Sequence, residues 1–78
     1  MKITFDPRRN MAYIRFHART AQVDTIRVSD ELNVDLAPDG TVYGIELLNA
    51  NEQLLRVDQG KLVVINEALG GRQEISLV

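Results

Sequence analysis

From Ile3 to Leu47, apolar side chains recur at every second residue in five short runs: Ile3 and Phe5; Ala12, Ile14 and Phe16; Ile26 and Val28; Leu32, Val34 and Leu36; Tyr43, Ile45 and Leu47. A period of two places each run on one face of a pleated strand. The chain is therefore predicted to build a five-stranded antiparallel sheet with one apolar face. A slip of one residue would turn a whole run to water, so burial fixes the register wherever that face is covered.

The breaks between runs are turns with a chemical basis. Asp6-Pro7-Arg8-Arg9-Asn10 combines a fixed φ at Pro7 with an asparagine that tolerates a left-handed backbone. Pairing Ile3 with Ile14 puts Phe5 opposite Ala12 and closes a hairpin. Arg19, Thr20 and Ala21 form the next connection, and Gln22 to Val28 the third strand. Ile26 is expected opposite Ile14, with Arg27 opposite Tyr13 in reach of a cation–π contact. Ser29-Asp30-Glu31 leads to Leu32–Leu36, with Val28 facing Leu32 and Ile26 facing Val34. Pro38-Asp39-Gly40-Thr41 is the clearest turn, since Gly40 supplies a positive φ. After it, Tyr43, Ile45 and Leu47 face Leu36, Val34 and Leu32. The order expected is a sequential β-meander.

The period changes within Thr41–Leu55, from strand to helical spacing. Gly44 falls on the outward face of the fifth strand, where a glycine marks the close approach of another element; a helix or a second subunit is the expected neighbour. Asn49 and Asn51 are capable N-caps and Glu52 suits the first turn of a helix. Ala50, Leu54, Leu55 and Val57 form its apolar stripe, over about two turns that must pack on the sheet to persist. Beyond Gly60, Lys61–Ile65 and Glu74–Val78 read as the strands of a C-terminal hairpin around Leu69-Gly70-Gly71-Arg72. A helical continuation through Asn66–Leu69 is the alternative.

Composition limits what such a chain can do. At 78 residues it is one domain, and without cysteine it has no disulfide or thiolate metal site to compensate for a small core. A second copy of the chain, or another protein, is therefore expected. Residues 1–27 carry six basic against two acidic side chains, net +4, and residues 28–78 carry three against nine, net −6. Nucleic-acid binders carry a clearly basic domain, so no nucleic acid is expected. The N-terminus has no apolar signal region and no run is long enough to span a membrane, which fits a cytoplasmic protein.

Five segments carry a family resemblance: Lys2 to Pro7, Ala12 to Arg15, Val34-Asp35, Asp39-Gly40, and Gly44 to Ala50. Their order and spacing resemble a small prokaryotic family known as domain of unknown function 2283. The resemblance covers about residues 1–55, with 56–78 as a C-terminal extension. It implies a β-meander capped by a helix and implies no activity. Some members of that family look like partners encoded beside small toxin-like proteins, which makes an antitoxin role an association carried by the resemblance alone.

The residues offer few catalytic constellations. His17 is the lone histidine and reads as an ordinary surface or interface residue. Gly70-Gly71 lacks the Lys-Ser/Thr of a phosphate loop. Ser29 and Ser76 have no nucleophile motif. Arg8 and Arg9, at a hairpin tip, read as a solvated turn. Asp35 and Glu46 are diagonal neighbours on the outward face. As a pair they could act as acid and base or hold a hard cation; as ordinary polar residues they would answer Arg15 and Arg27 across the strands. Met11, Tyr13, Val23 and Val42 make the outward face less polar than a free face should be. Either the chain's own C-terminal elements cover it, or a partner does.

These readings converge on a small α+β domain: five antiparallel strands, a short helix and a C-terminal hairpin. It is expected to be a non-catalytic, cofactor-free interaction module that homodimerises. Tyr13, Arg15, Arg27, Asp35 and Glu46 are the expected interaction surface. The alternatives are an antitoxin-like partner of a small basic protein encoded nearby, and a metal-dependent protein using Asp35 and Glu46.

Overall fold

The computed structural model describes residues 1–18 and 22–77. The connection expected at Arg19, Thr20 and Ala21, and the end of the last strand at Val78, lie outside the described residues. Seven strands are found among the rest: β1 (Lys2–Asp6), β2 (Met11–Arg15), β3 (Asp24–Ser29), β4 (Leu32–Leu36), β5 (Val42–Leu48), β6 (Lys61–Asn66) and β7 (Gly71–Ser76). The first five form one antiparallel sheet and the last two a separate hairpin.

Within the sheet the order is β1-β2-β5-β4-β3, not the sequential meander. β3, β4 and β5 follow one another by hairpins, and β5 then lies beside β2, a Greek-key order. Ile14 accordingly faces Ile45 instead of Ile26. Arg27 faces Asn33, with two strands between it and Tyr13, so the cation–π pair does not form. Hydrophobic alternation decides which face a side chain takes, and Ile14 meets that demand equally well beside Ile26 or beside Ile45.

The remaining pairings agree with the alternation. Ile3 faces Ile14 and Phe5 faces Ala12. Ile26 faces Val34, and Val34 and Leu32 face Ile45 and Leu47. One apolar row, Ile3–Ile14–Ile45–Val34–Ile26, therefore crosses all five strands. Two bulges shift the ends. Ser29, not Val28, faces Leu32, which leaves Val28 unpaired in the ladder, and Val42, not Tyr43, faces Leu36. A bulge inserts one extra residue and bends its strand.

The expected two-turn helix is a single π-type turn, Asn51–Leu55, followed by a 3-10 turn at Asp58–Gly60, so the α+β class overstates the helix content. The N-cap position is Ala50, which offers no side-chain bond, and Asn51, inside the turn, accepts the adjacent Glu52 N–H on its Oδ1 at 2.9 Å without capping the first turn. Asn10, in the β1–β2 loop, does that from a distance. Its Oδ1 accepts the Asn51 N–H at 2.7 Å, its Nδ2 donates to Asn51 Oδ1 at 2.7 Å, and its carbonyl accepts the Ala50 N–H at 3.0 Å. Asn10 takes φ +53° to do so, the left-handed conformation asparagine tolerates. This clamp buries Ala50 completely.

The C-terminal hairpin forms, with β7 starting at Gly71, ahead of the expected Glu74. Leu62 faces Ile75 and Val64 faces Gln73 on one side of it. On the other side Glu74 joins Arg72 at 2.7 Å and Lys61 at 3.5 Å.

Among the described residues only Ala12 and Ala50 are buried hydrophobics, and no large side chain is fully enclosed. The apolar row is half-buried over most of its length, and Ile26, at its β3 end, is 47% exposed.

Candidate functional site

The outward face of the sheet is a lattice of cross-strand neighbours. One row runs Lys2, Arg15, Gly44, Asp35, Thr25; the next runs Thr4, Tyr13, Glu46, Asn33, Arg27. Four of the five expected surface residues thus lie on the three inner strands, β2, β5 and β4. Arg27 is set apart on the edge strand β3.

Gly44 governs the geometry of this lattice. A Cβ built on it would overlap the ring and hydroxyl of Tyr13. The Tyr13 side chain therefore lies across β5, in the space a side chain at 44 would need, and reaches the next row. Its hydroxyl donates to Asp35 Oδ2 at 2.7 Å. The element crossing Gly44 is thus a tyrosine of the same chain, not a helix or a second subunit. The Asn51–Leu55 turn and the hairpin sit instead beside the other face, near Ile3 and Phe5.

Both carboxylates of the lattice are satisfied by neutral donors. Asp35 Oδ1 accepts the Thr25 hydroxyl at 2.6 Å, and Glu46 Oε1 accepts the Asn33 amide at 3.0 Å. Arg27 pairs locally with Asp30 in the exposed β3–β4 turn. The charge ladder from Asp35 and Glu46 to Arg27 is replaced by polar bonds within the sheet and an ion pair at the turn. Among the described residues no group of three or more His, Cys, Asp or Glu is placed to hold a metal ion.

Arg15 and His17 flank a hollow of about 310 Å³ with Tyr13, Val23, Asp35 and Tyr43. The exposed His17 ring meets Tyr43 edge-on, centroids 6.2 Å apart. The extra residue of the β5 bulge, Tyr43, also accepts the Phe16 N–H at its carbonyl, 2.8 Å away.

The opposite face carries the larger concavity. A groove of about 440 Å³ lies between β1 and the hairpin, lined by Ile3, Phe5, Leu54, Leu55, Leu62 and Ile75 among others. Sequence reasoning missed it because its walls come from the first five residues and from segments beyond residue 53. The signal available was the apolar run at 62–65, which has more aliphatic residues than a solvated hairpin requires.

The fold defines a small all-antiparallel β protein, and among the described residues no helix is long and apolar enough to cross a membrane. The family described as Protein of unknown function (DUF2283) matches residues 2–51, and the chain belongs to it. The matched span ends at the Asn51 clamp, so the hairpin lies beyond it. No curated protein and no solved structure matches the chain.

Proposed function

We propose that the chain is a non-catalytic protein–protein interaction module whose working form is a homodimer, with the second copy lying over the apolar sheet face. One observation carries this reading: among the described residues no second layer encloses the apolar face of the sheet. Stable domains bury an apolar sheet face against another layer, and here no large side chain among the described residues is enclosed. The surface supports the same reading. The chain exposes 5899 Å², whereas a compact 8.8 kDa monomer exposes about 4,800 Å². The excess, about 1,100 Å², exceeds the roughly 800 Å² each partner buries in a standard interface. The radius of gyration, 14.0 Å, likewise exceeds the about 11.5 Å of a compact chain this long.

Such a dimer turns the polar lattice outward. Tyr13, Arg15, Asp35 and Glu46, with Arg27 at the edge, then form the surface offered to a further protein. Light scattering on the full chain tests the dimer. A mass of about twice 8.8 kDa is expected, and a monomer at micromolar concentration overturns the proposal.

A further inference from the structure

We infer that the β3 edge of each copy seats in the apolar groove between β1 and the hairpin of the other copy, an inference that rests on the homodimer proposed above. The two surfaces are the unfilled ends of one apolar face. At one end, Ile26 closes the five-strand row at 47% exposure, and Val28, the extra residue of the bulge, is 59% exposed. At the other end, the groove is walled by Phe5 on one side and by Leu62 and Ile75 on the other. Val64 continues the same hairpin side two residues on and is 49% exposed. The hairpin packs on the Asn51–Leu55 turn and on no sheet strand to a comparable extent. A two-stranded hairpin this isolated is marginal in water, so its apolar side needs something to pack against.

Shape selects the pairing. The groove is concave, and β3 is the edge strand at the far end of the sheet, with Ile26 and Val28 exposed on it. Two stacked layers can be related by a twofold axis along the strands or by one across them. An axis along the strands carries the hairpin edge of one copy onto the β3 edge of the other, and it does so twice, as an isologous contact must. An axis across the strands sets groove upon groove, leaving a void, and exposed rim upon exposed rim. Voids of this kind forfeit the packing that stabilises an interface.

The chain contains no cysteine, so single cysteines report proximity without background. Full-length Ile26→Cys and Ile75→Cys chains are co-refolded and treated with a short bismaleimide; Val28→Cys with Leu62→Cys is a second pair. Each variant is first required to scatter as the wild type does. The expected result is covalent dimer in the mixtures and little in either variant alone. Covalent dimer in the single variants but not in excess in the mixtures overturns the seat and leaves the homodimer standing. So does a scattering dimer with no cross-link in either pair. A monomeric wild type removes the homodimer itself.

Discussion

At Gly44 the missing side chain is the functional part of the residue. Tyr13 occupies that space and bridges β2 to β4 over the top of β5. Gly44→Ala is expected to displace the ring and cost about 1–3 kcal/mol, as overpacking does, read from urea unfolding. Tyr13→Phe keeps the ring and should cost about 1 kcal/mol through loss of the bond to Asp35. In a Tyr13→Ala background the sign should reverse, with Gly44→Ala gaining about 0.5–1 kcal/mol because alanine is less costly than glycine in a strand. If Gly44→Ala costs the same in both backgrounds, the tyrosine is not the reason for the glycine. The same lattice bears on metals. Since Asp35 and Glu46 are taken up by Tyr13, Thr25 and Asn33, added Mg²⁺, Ca²⁺ or Zn²⁺ should leave the melting temperature unchanged. A rise would show an ion bound to the native state.

Among the elements, the turn after β5 owes its form to Asn10. Asn10→Gly keeps the left-handed backbone but loses the side-chain bonds to Asn51, and is expected to cost about 1–2 kcal/mol in thermal or urea unfolding; Asn10→Ala adds the strain of φ +53° and should cost more. The hairpin has its own electrostatic element. The Arg72 guanidinium bonded to Glu74, with Lys61 beside it, holds the Glu74 carboxyl below its ordinary value. A depressed carboxyl stabilises the fold above its unfolded pKa, and that contribution is lost as pH falls through about 4.3 and below. Melts of the wild type and Glu74→Gln should therefore differ near pH 7 and converge near pH 3. These two elements also show what a sequence can disclose. The left-handed Asn10, the positive φ at Gly40 and the facing of Ile3 with Ile14 follow from local chemistry and alternation. The Asn10 clamp could not be read, because its donor and acceptor lie about forty residues apart. Asn49 and Asn51 both satisfy the rule for capping, yet the N-cap position falls to Ala50 between them.

For the whole molecule, the strand order is where sequence reasoning failed, and the reason is general. Five runs of equal period specify one apolar face and leave their sequence of neighbours open. Tight turns settle β1 with β2 and β3 with β4 and β5, but no short turn motif in the sequence ties β2 to β3, and β3 lies at the far edge of the sheet. The candidate surface was partly legible for the same reason. Alternation alone puts Tyr13, Arg15, Arg27, Asp35 and Glu46 on one face, but two strands separate Arg27 from its expected neighbour Tyr13. The open apolar face makes the strongest demand at this scale. Ile26→Glu places a charge at the centre of the proposed contact and should weaken self-association about a hundredfold, as loss of a hot spot does. Sedimentation across a dilution series reads it, and unchanged association would place the contact elsewhere.

The join between β2 and β5 has a consequence for how the chain acquires its shape. Every other strand pairing closes over a short turn, while Arg15 must find Gly44 across nearly thirty intervening residues. Loop-closure entropy opposes such an encounter until contacts reward it. Two local pieces, the opening hairpin and the β3–β5 unit, should therefore be fast to appear and slow to unite. Substitutions at Ala12 or Leu47, which face each other across that seam, would register in the refolding rate if the join forms in the rate-limiting barrier, and in the unfolding rate if it forms after it.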